Sequence, residues 1–259
     1  MKIGMLKKLL CGFLLISASL YSTSVQAGSD AIIVAIDDSY PPYMYGERRN
    51  SKGLYARQIK AVFNRMNVKV DVQALAWKRV LIFGEKGDFA IEGIYKNSNR
   101  LEVYDFSSPI FEETLVVYVG KGNRFPFKKI SDLKGKKVGL NFGWSYGDDI
   151  DKARKNGLFA VQEVKSNLMN MMKLAHGRVD CILIDQLAAS KIILHEKLSD
   201  KVEKLVYPAS INKAYVAFAK STNNVDLIKK FDQALFEMKN DGTYNKVYDD
   251  FIAGDADKK

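Results

Sequence analysis

Two stretches of the chain follow one plan: a helix, a glycine, an aspartate, then a short apolar strand that carries an acid near its end. The first copy predicts a helix over 77–84, Gly87 and Asp88, and a strand over 89–94 that contains Glu92. The second predicts a helix over Asn167–Ala175, with Leu168, Met171, Met172 and Ala175 on one face, then Gly177, Asp180 and a strand over 181–184 that leads into Asp185. A helix that hands over directly to a buried strand needs a sheet covered by helices on its faces. The expected fold is therefore α/β, with mostly parallel sheets flanked by helices. Two copies of the plan imply two similar lobes that face each other across a cleft.

The segments around the first copy extend it. Residues 31–36 are apolar and rich in β-branched side chains, a strand that ends at Asp37-Asp38-Ser39-Tyr40-Pro41-Pro42-Tyr43. The prolines forbid continuation and hold Tyr40 and Tyr43 on a rigid loop at the strand's carboxyl end, where open α/β sheets bind ligands. Tyrosines there could equally serve only to cover the sheet. Residues 53–67 predict a core-facing helix and 68–72 a second strand. After the strand at 89–94 the chain breaks into polar turn residues and delivers Arg100 from a loop or first helical turn. A guanidinium matches a carboxylate with two parallel donors, although a surface pair with Glu102 or Asp105 is the simpler use of it.

An apolar run at 114–119 leads into Gly120-Lys121-Gly122-Asn123, a candidate crossing between lobes, and 215–219 is the expected return strand. Residues 225–238 predict an amphipathic helix, and Asp241-Gly242-Thr243-Tyr244 a turn into a last short helix. The expected organisation is a signal peptide at 1–27, the first part of one lobe at 28–117, the second lobe at 118–212 and a return to the first at 213–259. The signal segment combines Lys2, Lys7 and Lys8, an apolar core at 9–20 too short to span a bilayer, and Val25-Gln26-Ala27 as cleavage site.

Of the formal charge of +10, three lysines lie in that segment and no acid does, which leaves +7 on the remaining 232 residues. The basic residues are spread throughout, with no run interleaved with aromatics, so nucleic acid is not expected as a partner. Cys181 is the one cysteine outside the signal segment, which excludes an intramolecular disulfide there. His176 and His195 have no partners at ligand spacing, and no metal or cofactor is expected. Gly143-Trp144-Ser145-Tyr146-Gly147 fits the G-x-S-x-G nucleophile elbow, with Asp185 and His195 downstream in triad order. The segment behind it, 148–156, is almost wholly charged, which argues against a hydrolase. Asp185 also stands where an aspartate would cap the helix that follows.

The series Asp37-x-x-Tyr40-x-Pro42-Tyr43, Trp77, Gly87-Asp88, Arg100 with Phe106-Ser107-x-Pro109, Asp132-Leu133-Lys134-Gly135-Lys136, Gly177-Arg178-Val179-Asp180 with Asp185, and Met238-x-x-Asp241-Gly242-Thr243-Tyr244 resembles the family 3 solute-binding proteins of bacterial amino-acid ABC transporters. The resemblance runs in the family's order through the chain beyond the signal segment. It implies a two-lobed type II periplasmic binding protein that closes on an amino acid or related zwitterion and delivers it to an inner-membrane ABC permease, as a monomer in the periplasm. By position it implies that Arg100 grips the ligand carboxylate, Asp185 takes the ammonium, Ser145 supplies a second-lobe hydroxyl, Tyr40 stacks on the side chain and Asp37 meets a cationic side chain. Where the family has small hydroxyl residues before the arginine, this chain has Tyr95 and Asn97, and Glu92 enters at the strand end. Tyr95 and Glu92 therefore join the expected ligand-binding residues. Two alternatives on the same scaffold are an enzyme similar to periplasmic cyclohexadienyl dehydratase, with Glu92 as its acid, and a ligand-sensing module for a membrane receptor.

Overall fold

The computed structural model describes residues 31–47 and 50–254. The expected signal peptide at 1–27 and the charged tail at 255–259 lie outside the described residues. In chain order the first half contains β1 (Ile32–Asp37), the short strands β2 (Ser39–Tyr40), β3 (Met44–Glu47) and β4 (Asn50–Lys52), then α1 (Leu54–Arg65), β5 (Val70–Leu75), α2 (Trp77–Lys86) and β6 (Ala90–Tyr95). There follow α3 (Ser98–Val103), β7 (Tyr104–Phe106) and the long β8 (Phe111–Gly120). The second half contains β9 (Lys137–Asn141), α4 (Asp148–Lys155), β10 (Ala160–Val164), α5 (Asn167–Ala175), β11 (Cys181–Asp185) and α6 (Gln186–His195). The chain closes with β12 (Val202–Ala219), α7 (Val225–Asn240) and α8 (Thr243–Ala253).

The main sheet runs β10-β9-β11-β8-β12-β6-β1-β5, and β7 also pairs with β12. β1 lies parallel to β5 and β6, and β9 lies parallel to β10 and β11. These two parallel groups are the two lobes, and the antiparallel pair β8–β12 joins them. The sheet is thus mixed, because a chain that leaves a lobe and comes back must cross in both directions. The sequence-derived crossing points at 118 and 213 fall within β8 and β12 themselves. β12 starts well before the expected return strand at 215 and bends at register shifts around Pro208, where proline cannot donate to a ladder.

Local sequence explains most elements. α1 buries Leu54, Tyr55, Ile59, Val62 and Phe63 on one face, and α7 buries Ile228, Phe231, Ala234, Leu235 and Met238. α5 has the predicted boundaries, and its Ser166 side chain accepts a hydrogen bond from the Met169 amide as an N-cap. β11 is buried along its whole length, as a central strand with both faces covered requires.

One helix stop differs from expectation. α2 does not end at Gly84 but continues to Lys86, and Gly87 closes it in the left-handed region at φ 88°. Gly84 instead lets the helix approach the sheet: a Cβ there would lie 2.4 Å from Ile91 Cδ1.

Candidate functional site

β1, β6 and the turn after β9 end close together, and the side chains at those ends enclose a cavity of about 290 Å³ including its open mouth. Asp37, Tyr40, Met44, Trp77, Gly93, Tyr95 and Arg100 line it from the first lobe, and Trp144 and Ser145 from the second.

Arg100 sits in α3, where the Asn97 side chain caps the helix by accepting from the Arg100 amide at 2.9 Å. That cap aims the guanidinium inward. Its Nη1 donates to the Tyr95 carbonyl at 2.8 Å, and its Cζ lies 5.9 Å from the centroid of the Trp77 ring. Burial lowers its pKa to about 10, so it stays charged at neutral pH. Asp105, one of the simpler partners considered for it, pairs with Lys220 at 3.5 Å.

Asp37 ends β1 with no exposed surface. Its Oδ1 accepts from the Ser39 amide and hydroxyl, both at 2.9 Å, and its Oδ2 accepts from Trp144 Nε1 at 3.0 Å. Burial outweighs these bonds and raises its pKa to about 6. Asp185 forms the mirror contact. It ends β11, caps α6 by accepting from the Ala188 amide at 2.9 Å, and accepts from the Tyr43 hydroxyl at 2.9 Å. Each lobe therefore presents a strand-end acid to an aromatic donor of the other. Asn97 Nδ2 to Ser145 Oγ at 3.2 Å and Ser98 Oγ to Asp148 at 3.0 Å add further bonds across the cleft.

The cavity brings together Asp37, Tyr40, Tyr95, Arg100 and Ser145 among the residues expected from sequence. It does not include the other two. Asp185 lies outside the lining with its Oδ1 bonded both to Tyr43 and to the first turn of its own helix, so the cap reading of this residue holds in the fold. Glu92 is fully buried within β6, and neither carboxylate oxygen has a hydrogen-bond partner among the described residues. The charge that acts on it is Lys60 of α1, and it acts in turn on Tyr244 of α8, so it belongs to the helix-covered core of the first lobe. This corrects the expectation that Glu92 meets the ligand. Strand pleating decides the face, and sequence periodicity alone could not separate the two sides of a strand buried on both.

Glu113, which no sequence motif marked, is the polar centre behind the cavity. This buried residue of β8 accepts hydrogen bonds from the hydroxyls of Tyr40, Tyr55 and Tyr95. Burial and the nearby Asp185 raise its pKa to about 7 against the lowering effect of the phenols. The available signal was an acid at an inward position of the alternation Phe111, Glu113, Leu115, Val117. Trp144, which the sequence marked only as part of the G-x-S-x-G segment, also takes part: its ring meets Tyr40 edge-on at 4.5 Å.

The G-x-S-x-G segment does not assemble a triad. Ser145 Oγ donates to the Asp151 carboxylate, while His195 is 85% exposed and contacts Glu196 at 2.8 Å. Among the described residues no cluster of three or more His, Cys, Asp or Glu could hold a metal, and no helix is long and apolar enough to cross a membrane.

The sequence pattern of the bacterial extracellular solute-binding proteins, family 3, matches residues 32–254. The L-cystine-binding protein TcyJ of Escherichia coli (strain K12) is 27% identical over 230 residues, 88% of this chain and 84% of that protein. The ABC transporter arginine-binding protein 1 of the same strain is 24% identical over 251 residues, 95% of this chain and 99% of that protein. A solved structure, an ancestral arginine-binding protein bound to arginine, superposes with a TM-score of 0.72 at 26% identity and covers 85% of this chain and 97% of its own.

Proposed function

Because the chain belongs to the bacterial extracellular solute-binding proteins of family 3, we propose that it captures an amino acid in the cleft between its lobes and delivers it to an inner-membrane ABC permease. The protein acts in the periplasm as a monomer after loss of residues 1–27. Its lobes comprise 28–117 with 213–259, and 118–212, and they hinge on β8 and β12.

The observation that carries this reading is the pairing of Arg100 and Asp37 in one cavity with aromatic walls. Arg100, held by the Asn97 cap and the Tyr95 carbonyl, keeps donors free for the ligand carboxylate, and Ser145 joins it from the second lobe where its proton turns from Asp151 to the ligand. Asp37 is the acid that reaches the ligand's cation. Asp185 takes part only where a ligand ammonium displaces the Tyr43 hydroxyl. Tyr40 and Tyr95 give ring surface to the side chain, and a cation over such a face gains about 0.5–2 kcal/mol. The favoured ligand has a polar or cationic side chain. The named ligands of the relatives, cystine and arginine, are compatible with that.

The protein is a carrier in this reading, not a catalyst. The candidate acid for a dehydratase, Glu92, does not line the cavity, and incubation with prephenate or arogenate should give no turnover. The primary test is a thermal-shift screen of the twenty amino acids, cystine, ornithine and polyamines. A true ligand at 100 times its Kd adds about 2.7 kcal/mol of stability. A screen in which no amino acid shifts the transition would defeat the proposal.

A further inference from the structure

Glu113 stands at a junction that the capture of a zwitterion does not by itself explain. It lies on β8, one of the two strands that connect the lobes, and it gathers hydroxyls from the loop after β1 (Tyr40), from α1 (Tyr55) and from the end of β6 (Tyr95). Tyr40 and Tyr95 share Oε2, and both also line the cavity. A carboxylate has about four acceptor positions, so three phenols nearly saturate it. Ionised Glu113, the form favoured above its pKa of about 7, holds these phenols about twice as strongly as a neutral acceptor would. The two wall tyrosines thus hold their hydroxyls on Glu113 and offer the cavity mainly ring.

We propose that Glu113 is a positioning residue that determines ligand specificity: by holding the hydroxyls of Tyr40 and Tyr95 it keeps the walls aromatic, which favours a cationic side chain over a neutral amide. The inference rests on the reading of the cleft as an amino-acid site. Ring faces attract cations, and Asp37 at the same cavity adds negative charge. An amide side chain needs neutral donors and acceptors, which the two hydroxyls would supply only if they were released. The carboxylate is also screened from the ligand by the phenols it holds. Removing the acid should therefore weaken the preference for cations, whereas removing the hydroxyls should not, a difference that a merely structural role would not produce.

The test is isothermal titration of arginine, lysine, glutamine and asparagine into the wild type, Glu113→Gln and the double variant Tyr40→Phe/Tyr95→Phe. In Glu113→Gln the charge is gone and one acceptor oxygen is left for three phenols, so hydroxyls are released to the amides and the arginine-to-glutamine affinity ratio should fall about tenfold or more. In the double variant two of the bonds that lower the Glu113 pKa are lost and the buried acid is protonated, but no wall hydroxyl remains to serve an amide, so the ratio should stay at or above the wild-type value. If either variant fails to fold, the other decides. A folded Glu113→Gln that keeps the ratio within threefold of wild type, with all four ligands weakened equally or not at all, overturns the role of Glu113 while leaving the amino-acid cleft intact, and so does a folded double variant in which the ratio falls by threefold or more. A wild type that binds none of the four refutes the cationic-over-amide preference, and with it this proposal; the screen of other amino acids separately decides the cleft.

Discussion

Replacing Glu92 with methionine should make the protein more stable, and increasingly so as pH rises. Glu92 lies in β6 opposite Val216 of β12, with no exposed surface and no donor or acceptor for either carboxylate oxygen among the described residues. Lys60 acts on it only through space and uses its ammonium on Ser51 Oγ at 3.3 Å. A buried polar group without a partner costs about 1–3 kcal/mol, and methionine fills a similar volume without one. A gain of about 1–3 kcal/mol is expected at a pH near 4, where the carboxyl is protonated both folded and unfolded. Burial holds its folded pKa well above the usual carboxylate range, so above about pH 4.3 the unfolded chain releases a proton that the folded chain retains. Wild-type stability therefore falls by about 1.4 kcal/mol for each pH unit inside that window, and the variant is spared this loss. Asp37, Glu113 and Asp185 titrate in both proteins and cancel in the difference. Urea titrations of both proteins at pH 5 and pH 6 measure it. A variant less stable than wild type at both values, or an advantage that does not grow by about 1 kcal/mol between them, would show that Glu92 is ionised and paired in the fold.

Arg100→Ala should weaken ligand binding by about 2–5 kcal/mol while unfolding changes little, because the side chain's fold contacts are one carbonyl and the Trp77 ring; calorimetric affinity within threefold of wild type would rule out its role. Binding of a cationic amino acid should weaken about tenfold between pH 7.5 and pH 5, since it needs ionised Asp37, whose pKa is raised to about 6. Asp37→Asn should bind weakly at both pH values with a smaller dependence, the remainder being that of Glu113, whose pKa is raised to about 7, and an unchanged pH profile in that variant would place the titration elsewhere. Gly53→Ala should cost more than about 2 kcal/mol, because φ is 101° and the added Cβ would lie 2.4 Å from the Tyr43 carbonyl oxygen; a urea midpoint equal to wild type would contradict the geometry.

How much of this was legible in the sequence depends on the range of the interaction concerned. The helices α5 and α7, the strand β11 and the turn that carries Arg100 could be read directly, because apolar periodicity and glycine stops act within a few residues. The strand-end position of Asp37 and the proline-held Tyr40 followed from the same local rules, and both line the cavity. Gly84 misled because a glycine that permits close helix–sheet packing looks, in sequence, like one that ends a helix. The partners of the site residues were not legible. Tyr40 and Tyr55 reach Glu113 across 73 and 58 residues, and Tyr43 reaches Asp185 across 142. Whether Glu92 faced ligand or core depended on the register of β6 against β12, and shifting a strand by one residue exchanges its faces. Local backbone preferences decide which residues form a helix or strand, but which side chains meet is decided only when non-local strand pairing brings distant segments to one side of the sheet.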